Sequence, residues 1–515
     1  MGAEMRMRGE VSGRRRTART RLEARLPIVG WIAGLTLGAC GEPPDIPPNA
    51  VVPSAEQVAY QKQELIGFVH FTVNTFTDRE WGYGDEAEAV FAPTALDADQ
   101  WASVAATAGM QELILTAKHH DGFCLWPSAY TEHSVKNSPW RDGNGDVLRE
   151  FVDAARGHGL RVGFYLSPWD RNRADYGTPA YIEYYRNQLR ELLTGYGDVT
   201  ELWFDGANGG TGWYGGADEE RRIDRTTYYD WPNTWELVKS IQPATLIFSD
   251  AGPDIRWIGN ERGWAGETNW SMLDTDRVTV GAADTRYLNT GDPDGTSWVV
   301  PLCDVSIRPG WFHHPAEDGR VKSPQTLVDT WYRSVGRNCV LLLNVPPDTR
   351  GRFHENDVAA LREFRRILDE TFATDLAAGA AVSAGSRWGR NAKFAPANLV
   401  DGDADSYWAA GDGTRSEWLE IDLGERTRFD RILLQEPIRL GQRIERFTVQ
   451  AGTGDQWTTI ARGTTIGYKR VLRVPAVTAD AVRILIGASN NVPALSNFGL
   501  YLASPDEPAA ERTNG

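Results

Sequence analysis

"TPAYIEYYRNQLRELLTGYGDVTELWFDG", residues 178–206, contains one complete copy of the pattern that decides the fold. It begins with Thr-Pro, an N-cap residue followed by proline at the first helical position. Apolar residues then recur at helical spacing over 181–193, and a glycine ends the helix. The apolar run at 200–204 predicts a buried strand, and this strand ends on the charged Asp205.

The same unit of cap, amphipathic helix, glycine and short apolar strand recurs along the chain, at 97–116, 146–166, 233–248 and 323–343. Strands separated by single helices pair in parallel through right-handed crossovers. This many units within about 320 residues predicts a closed (β/α)8-type barrel over residues 55–372. An open doubly wound sheet is the alternative, but no G-x-G-x-x-G turn follows a predicted strand.

The pattern changes after the helix that ends near residue 372. Short alternating strands bounded by Gly, Asp and Asn fill the range 376–503, with almost no helical periodicity. This predicts an all-β jelly-roll or β-sandwich domain. Residues 504–515 are predicted to be a frayed tail.

The N-terminus predicts export. Residues 1–40 hold eight arginines against three acidic residues, followed by an apolar run too short to span a bilayer. The run ends in Leu-Gly-Ala-Cys, which resembles a bacterial lipobox and implies that Cys40 is the site of lipid attachment. We therefore expect a bacterial lipoprotein in the periplasm or at the cell surface, with the proline-rich residues 41–54 as a tether.

Cysteine content and charge limit the partners. Cys124, Cys303 and Cys339 remain after cleavage, an odd number without metal-ligand spacing, so we predict neither a disulfide framework nor a zinc site. The net charge of −16 disfavours nucleic acid and anionic membrane surfaces, and a neutral substrate fits better. Membrane contact is expected only through the lipid anchor.

Polar side chains stand at the ends of the predicted barrel strands, where the carboxyl ends of parallel strands converge on one mouth. They are His70, Lys118, His119, His120, Asp121, Tyr165, Asp170, Asp205, Asp250 and Asn344. A metal site at the paired histidines is less favoured, because no third ligand stands at recognisable spacing. The sequence also has 20 tryptophans, and four in predicted loops suit stacking on a sugar ring: Trp81, Trp169, Trp257 and Trp311.

Four long blocks resemble glycoside hydrolase family 29, the α-L-fucosidases: "HFTVNTFTDREWGYGDE" (70–86), "LTAKHHDGFCLWPSAYTEHSVKNSPW" (115–140), "FYLSPWDRN" (164–172) and "ELWFDGANG" (201–209). The resemblance covers about residues 55–370. Two more blocks, "FSDAGPDIRWIGNERG" (248–263) and "DVSIRPGW" (304–311), are similar to the branch that prefers α-1,3- and α-1,4-linked fucosides.

The resemblance implies a retaining enzyme with Asp205 as nucleophile and Glu261 as acid/base, since retaining chemistry uses two carboxyl groups. Burial beside Trp257 is expected to raise the pKa of Glu261. Gly206 is expected to let the sugar approach the backbone. The positions implied to bind substrate are His70, Glu80, Trp81, His119, His120, Tyr165, Trp257, Arg308 and Trp311.

Alternatives remain for the acid. Glu267 is the rival, with Asp250 and Asp254 behind it, and Glu261 could instead pair with Arg262 or Arg256.

Residues 376–503 resemble a discoidin-like domain of the coagulation factor 5/8 type C kind, the fold of family 32 carbohydrate-binding modules. Its acidic turn, with Asp401, Asp403, Asp405 and Ser406, is either a structural calcium site or a solvated turn. No other cofactor is expected.

The predicted function is an exported retaining α-L-fucosidase that acts on fucosylated oligosaccharides or glycoconjugates. One alternative is a cell-surface glycan-binding protein with an inactive barrel, in which the C-terminal domain supplies the affinity. A metal-dependent hydrolase that uses histidine and aspartate ligands is the other.

Overall fold

The structure is a computed structural model that describes residues 45–206, the backbone of 213–214, and residues 219–507. The first part contains α1 (Ala55–Gln61), β1 (Leu65–Val69), α2 (Val73–Thr77), α3 (Ala98–Thr107), β2 (Glu112–Lys118), α4 (Val147–Gly157), β3 (Arg161–Leu166), α5 (Pro179–Gly195), β4 (Glu201–Trp203), β5 (Trp213–Tyr214), β6 (Glu219–Glu220), α6 (Trp231–Ile241), β7 (Leu246–Ser249), β8 (Ile255–Trp257), β9 (Met272–Leu273), α7 (Thr285–Thr290), β10 (Ser297–Trp298), β11 (Val300–Ser306), α8 (Pro324–Arg333), β12 (Val340–Asn344) and α9 (Glu355–Thr371). The second part contains β13 (Ala381–Ala384), β14 (Trp408–Ala409), β15 (Glu417–Gln435), β16 (Ile444–Thr453), β17 (Gln456–Gly463), β18 (Arg470–Ser489), β19 (Ala494–Leu495) and β20 (Asn497–Tyr501).

Eight strands close into a barrel in the order β1-β12-β11-β8-β7-β4-β3-β2, and neighbouring strands are parallel. The predicted (β/α)8-type barrel is therefore confirmed. One connection lacks the expected helix, because residues 250–254 alone link β7 to β8. There Asp254 folds back on the preceding strand, and its carboxylate accepts the Ile247 N–H at 2.9 Å.

Helix α5 shows how the local pattern builds the barrel wall. Its N-cap Thr178 is extended and Pro179 is its first residue. The buried positions are three or four residues apart, as an amphipathic helix requires: Tyr181, Ile182, Tyr184, Tyr185, Gln188, Leu189, Leu192 and Leu193. This face packs on the barrel, and the chain then enters β4.

Side chains fill the barrel interior, so it is a packed core and not a channel. The inward residues include Ile66, Phe68, Ile114, Tyr165, Trp203, Phe248, Val300, Leu302 and Leu342. Helix α1 lies at the amino-terminal end of the barrel, where the Tyr60 hydroxyl donates to Glu201 at 2.7 Å. Because the core is filled and this end is occupied, the carboxyl ends of the strands are the side at which a substrate site can form.

The C-terminal domain is built from antiparallel sheet. Strands β13-β15-β18-β16-β17 form the main sheet, β20 pairs with β15, and β14 pairs with β19. Apolar residues on alternate positions of the long strands meet in a separate core, among them Leu419, Ile421, Phe447, Val449, Ile484 and Ile486. This agrees with the predicted β-sandwich.

The segment predicted as a tether, 41–54, is not a free linker from Asp45 onward. The Asp45 carboxylate pairs with Arg439 at 2.7 Å, and the Pro47 carbonyl accepts a hydrogen bond from Arg443. The chain there is bound to the C-terminal domain through Arg439 and the buried Arg443, which lie between β15 and β16. The start of the tether, together with the signal segment 1–40 and Cys40, lies outside the described residues.

Residues 504–507, predicted as the start of a frayed tail, are bound to α9. The Ser504 N–H donates to Thr371 at the end of α9, and Asp506 pairs with Arg366 at 2.6 Å. Residues 508–515 lie outside the described range. Within the described part of the chain, no helix is long and apolar enough to cross a membrane.

The prediction of no disulfide was wrong. Cys303 in β11 and Cys339 just before β12 form a disulfide, with their Cα atoms 6.1 Å apart. The two strands are barrel neighbours, and this pairing brings together cysteines 36 residues apart in sequence. Ile258 and Ala265 pack against the disulfide, so it lies under the loop that connects these two residues. Cys124 is a buried free thiol.

Candidate active site

Asp205 stands directly after β4 at the mouth of the barrel. The Tyr165 hydroxyl donates to its Oδ2 at 2.8 Å, and His120 Nε2 lies 3.6 Å from the same oxygen. The preceding residue, Phe204, is buried and its N–H donates to the Phe248 carbonyl. A carboxylate with 20% of its side chain exposed is therefore fixed at the end of a buried strand.

Three histidines line the mouth beside Asp205. The rings of His70 and His119 have centroids 5.4 Å apart, and those of His119 and His120 are 4.1 Å apart. Burial lowers the pKa of His70 and of His120 to about 3, and lowers the pKa of His119 well below its usual value. All three rings are therefore neutral near pH 7, and each offers one donor and one acceptor nitrogen.

The tautomers of two of these rings follow from their partners. The Ser167 hydroxyl donates to the Trp169 carbonyl at 2.6 Å, so it accepts a hydrogen bond from His120 Nδ1 at 2.7 Å. His120 Nε2 is then an acceptor. The Asn344 amide nitrogen donates to Ser306, so its oxygen accepts from His70 Nδ1 at 2.8 Å. By the same reasoning His70 Nε2 is an acceptor, so both remaining ring nitrogens suit a ligand that brings hydroxyl groups.

Glu261 lies on the loop after β8, which is two strands from β4 in the barrel. The Trp311 indole N–H donates to Glu261 Oε2 at 3.3 Å, and the Trp311 ring packs beside His70 with centroids 5.3 Å apart. The expectation that Glu261 is buried beside Trp257 was wrong, because Glu261 is exposed. Trp257 instead donates its indole N–H to Asp304 at 2.8 Å.

Asp304 is a site residue that the sequence reasoning missed. It is only 3% exposed, in β11. Burial raises its pKa well above the usual range, and the negative charges of Glu261 and, more weakly, Asp205 act in the same direction. The buried Asp304 therefore lies within electrostatic range of both carboxylates. Val300 and Leu302 point into the barrel interior, and alternate residues of a strand share one face. This alternation was the signal that could have identified position 304.

Glu80 and Trp81 complete the rim. The Glu80 carboxylate accepts the backbone N–H of Trp311 at 3.1 Å, so it holds the loop that follows β11. Trp81 is 56% exposed, and its ring contacts His120 and Trp169 edge to face. An exposed indole beside neutral imidazoles is suited to stacking on the apolar face of a sugar.

The comparisons with known proteins decide the family. Residues 49–370 match the family model described as alpha-L-fucosidase. The chain belongs to the α-L-fucosidase family. It is 42% identical over 463 residues to alpha-L-fucosidase 1 of Arabidopsis thaliana, which covers 88% of each chain.

Solved structures agree. A glycoside hydrolase 29 family member from an unknown rumen bacterium is 44% identical with a TM-score of 0.80, over 90% of this chain and 79% of that one. A GH29 fucosidase of Ruminococcus gnavus in complex with fucose is 34% identical with a TM-score of 0.81, over 90% and 98%. This fucosidase is thus a glycoside hydrolase, and residues 398–484 match a NedA-like, galactose-binding domain.

Arg308 does not belong to the sugar pocket of the fucosidase, contrary to prediction. Its side chain is fully buried, and its guanidinium donates to Asp357 and to Asp318, both at 2.9 Å. Two carboxylates therefore neutralise this charge behind the wall and attach the loop after β11 to α9.

Glu267, the rival acid, does not belong to the mouth either. It pairs with Arg337 and with Arg470 of the C-terminal domain, so it joins the two domains of the fucosidase. Asp254 pairs with Lys239 at 2.8 Å, and the half-buried Asp250 accepts the Gly281 N–H. Arg256, the proposed partner of Glu261, is buried and donates to backbone carbonyls and to Asn269.

Gly206 lies against Asp250, and its expected role in admitting the sugar stays a prediction. A Cβ atom on this residue would lie 2.9 Å from the Asp250 carboxyl carbon, so glycine is needed for that neighbour. Residues 207–209 of the same sequence block lie outside the described residues.

In the acidic turn of the C-terminal domain, the side chains of Asp401 and Asp403 accept N–H groups of the turn itself. Across the described ranges, no group of three His, Cys, Asp or Glu side chains could hold a metal ion.

Proposed function

We propose that this fucosidase is an exported, retaining enzyme that removes terminal α-1,3- and α-1,4-linked L-fucose from glycans. The observation that carries the proposal is a pair of carboxylates that both follow the carboxyl ends of barrel strands. Asp205 is fixed after β4, Glu261 lies on the loop after β8, and the negative charge of each raises the pKa of the buried Asp304. A retaining glycosidase needs two carboxyl groups on opposite sides of the scissile bond.

In the first step, an Asp205 oxygen attacks the anomeric carbon of fucose while the glycosidic C–O bond breaks. The Glu261 carboxylic acid gives its proton to the departing oxygen, so that the released sugar leaves as an alcohol. Tyr165 supports this role of Asp205. Burial and the charge of Asp205 raise the pKa of Tyr165, so the phenol remains a hydroxyl that donates to the nucleophile.

In the second step, water attacks the anomeric carbon of the fucosyl-Asp205 ester. Glu261, now ionised, takes a proton from that water, and the ester bond to Asp205 breaks. Fucose leaves with its original anomeric configuration, and both carboxyl groups regain their starting protonation. The exposure of Glu261 supports this step, because water can reach it from the solvent side.

We propose that the fucose hydroxyls bind to His70, His119, His120 and Glu80, with Tyr165 beside the anomeric centre. The acceptor nitrogens of His70 and His120 and the Glu80 carboxylate support this, since hydroxyl groups supply the matching donors. Trp81 would cover the apolar ring face. The fucose complex of the Ruminococcus gnavus relative makes the same sugar the natural ligand to test here.

The linkage preference rests on two sequence blocks. These blocks, residues 248–263 and 304–311, contact each other. Trp257 of the first block donates to Asp304 of the second, and Trp311 of the second block donates to Glu261 of the first. We propose that this shared wall, with Trp257 and Trp311, contacts the sugar that carries the fucose.

Export is proposed from the N-terminal segment, with lipid attachment at Cys40. The buried Cys303–Cys339 disulfide supports it, because disulfides persist in oxidising compartments such as the periplasm and are rare in the cytosol. Bacterial fractionation with metabolic lipid labelling, comparing the wild type with Cys40→Ala, tests this part.

The catalytic proposal is tested by NMR of the first sugar released from an α-1,4-fucosyl disaccharide. We expect α-L-fucose before mutarotation, and a 2-fluorofucosyl inhibitor should label the peptide that contains Asp205. Initial release of β-L-fucose would refute the retaining mechanism. A label on any other carboxylate would refute the assignment of Asp205.

A further inference from the structure

We propose that Asp78 and His314 form a charged clamp that positions Glu80, and through it Trp311 and Glu261. The inference rests on the proposed function, in which Glu80 binds fucose and Glu261 is the acid/base. It adds two positioning residues to the site.

His314 lies between two carboxylates. Its Nδ1 is 2.6 Å from Asp78 Oδ1, and its Nε2 is 2.7 Å from Glu80 Oε1. A neutral imidazole has only one N–H, whereas a carboxylate can only accept, so both contacts are hydrogen bonds only in the imidazolium form. Burial alone would lower the pKa of His314, but the contacts with Asp78 and Glu80 outweigh it and raise that pKa.

Other charges near this contact are already engaged. On the segment of His314, the carboxylate of Glu317 accepts the Gly310 N–H, and His313 is in contact with Asp318 at 3.1 Å. On the side of Asp78, Arg79 pairs with Glu86 at 3.4 Å. The protonation of His314 is therefore governed by the two carboxylates on its ring nitrogens.

Glu80 transmits the clamp to the loop after β11. Its carboxylate accepts the N–H of Trp311 at 3.1 Å and that of Phe312 at 3.3 Å, in addition to His314. The fit is close, since a Cβ on Gly310 would lie 2.3 Å from Glu80 Oε1. With three donors on it, the carboxylate has a defined position at the rim.

Trp311 carries the effect to Glu261. Its backbone carbonyl accepts from Asn344 at 2.8 Å, so the residue is held on both sides of its backbone. Its indole N–H then reaches Glu261 at 3.3 Å. A series of direct contacts thus runs from Asp78, whose side chain is 68% exposed, to the proposed acid/base.

The clamp forms at low pH and is lost at high pH, because it requires the charged form of His314. The imidazolium is present below the raised pKa of His314 and is lost as the pH increases through it. Above that pH, one of the two carboxylates loses its hydrogen bond, and Glu80 is held less firmly. Both the affinity for fucose and the alignment of Glu261 should then decline. A role limited to stability would not change the pH profile of activity.

The test compares His314→Gln, which cannot carry the charge, with the wild type. We expect kcat/KM on an α-1,4-fucosyl disaccharide to fall about 10- to 100-fold, as for a displaced catalytic group. The contribution of the imidazolium to the basic limb of the pH profile should be lost, so the profile of the variant should differ from that of the wild type on this side, and calorimetry should show weaker fucose binding. Asp78→Asn should give a smaller change in the same direction. Asp78 has a left-handed backbone conformation (φ 56°), which Asn also tolerates well, so this substitution preserves the backbone.

His158→Gln is the matched control, because His158 contacts Asp99 at 2.8 Å on the surface, outside the mouth. It should leave activity and pH profile unchanged. If both clamp variants keep the wild-type pH profile and bind fucose within twofold of the wild type, the clamp is refuted. If the wild-type protein releases no fucose, the proposed function is refuted. Calorimetry with fucose still tests the clamp in that case, because it measures binding and not turnover.

Discussion

Asp205 and Glu261 both follow the carboxyl ends of barrel strands, but their surroundings differ. We call the strand ends around Asp205 the strand wall and the loop after β8 that carries Glu261 the loop wall. Asp205 follows a buried strand and is surrounded by Tyr165 and His120, which also belong to neighbouring strand ends. Glu261 is exposed on a loop, and the Trp311 indole contacts it at 3.3 Å. The comparison indicates a division of labour: a nucleophile must hold one position, whereas an acid/base must meet varied leaving groups and then water.

Removing the carboxylate from the strand wall is expected to have the largest effect. Asp205→Ala should lower kcat/KM by about 10⁴-fold or more, because no other group can form the covalent intermediate. Azide should restore turnover and give β-fucosyl azide, identified by NMR, while the melting temperature stays near that of the wild type. Formation of the α-azide would contradict the assigned nucleophile. Asp99→Ala, an exposed carboxylate on α3, should remain fully active.

The loop wall should show a smaller and selective effect. Glu261→Ala should slow cleavage of sugar leaving groups by about 10²- to 10³-fold, as expected for loss of a general acid. Nitrophenyl fucoside, whose leaving group needs little protonation, should lose far less, and steady-state kinetics on both substrates measures the ratio. Glu267→Ala is the control, because Glu267 pairs with Arg337 and Arg470 between the domains. Equal slowing of both substrates by Glu261→Ala would contradict the assignment of Glu261 as the general acid.

The support under the loop wall should give the mildest effect on activity. Replacing Cys303 and Cys339 together by alanine should lower the free energy of unfolding by about 2–4 kcal/mol, since a disulfide restricts the unfolded chain. Because Ile258 and Ala265 pack on this disulfide, the variant should lose activity on sugar leaving groups more than on nitrophenyl fucoside. Guanidinium unfolding and the two kinetic assays measure this. Dithiothreitol should reproduce the effect in the wild type and leave the variant unchanged.

The strand wall was largely predictable, and the loop wall was not. His70, His119 and Asp205 follow predicted strands and Tyr165 is the next-to-last residue of one, so their meeting at one mouth follows from parallel topology. The contacts of the loop wall join residues far apart in the chain, such as Trp257 with Asp304, and no local pattern specifies them.

Three errors have the same cause. Arg308 was assigned to the pocket, but it is buried against Asp357, and burial of a charge requires such a partner. The Cys303–Cys339 disulfide and the docking of Asp45 on the C-terminal domain were also missed. In each case the partner is supplied by another part of the fold.

The sequence by itself determined the alternation of helix and strand, the change to an all-β domain, and the residues that end the barrel strands, because helical and strand periodicities are properties of neighbouring residues. The tertiary structure decided that Glu261 is exposed, that Asp304 is buried and that His314 bridges Asp78 and Glu80. These facts depend on distances between segments that only the closed barrel brings together.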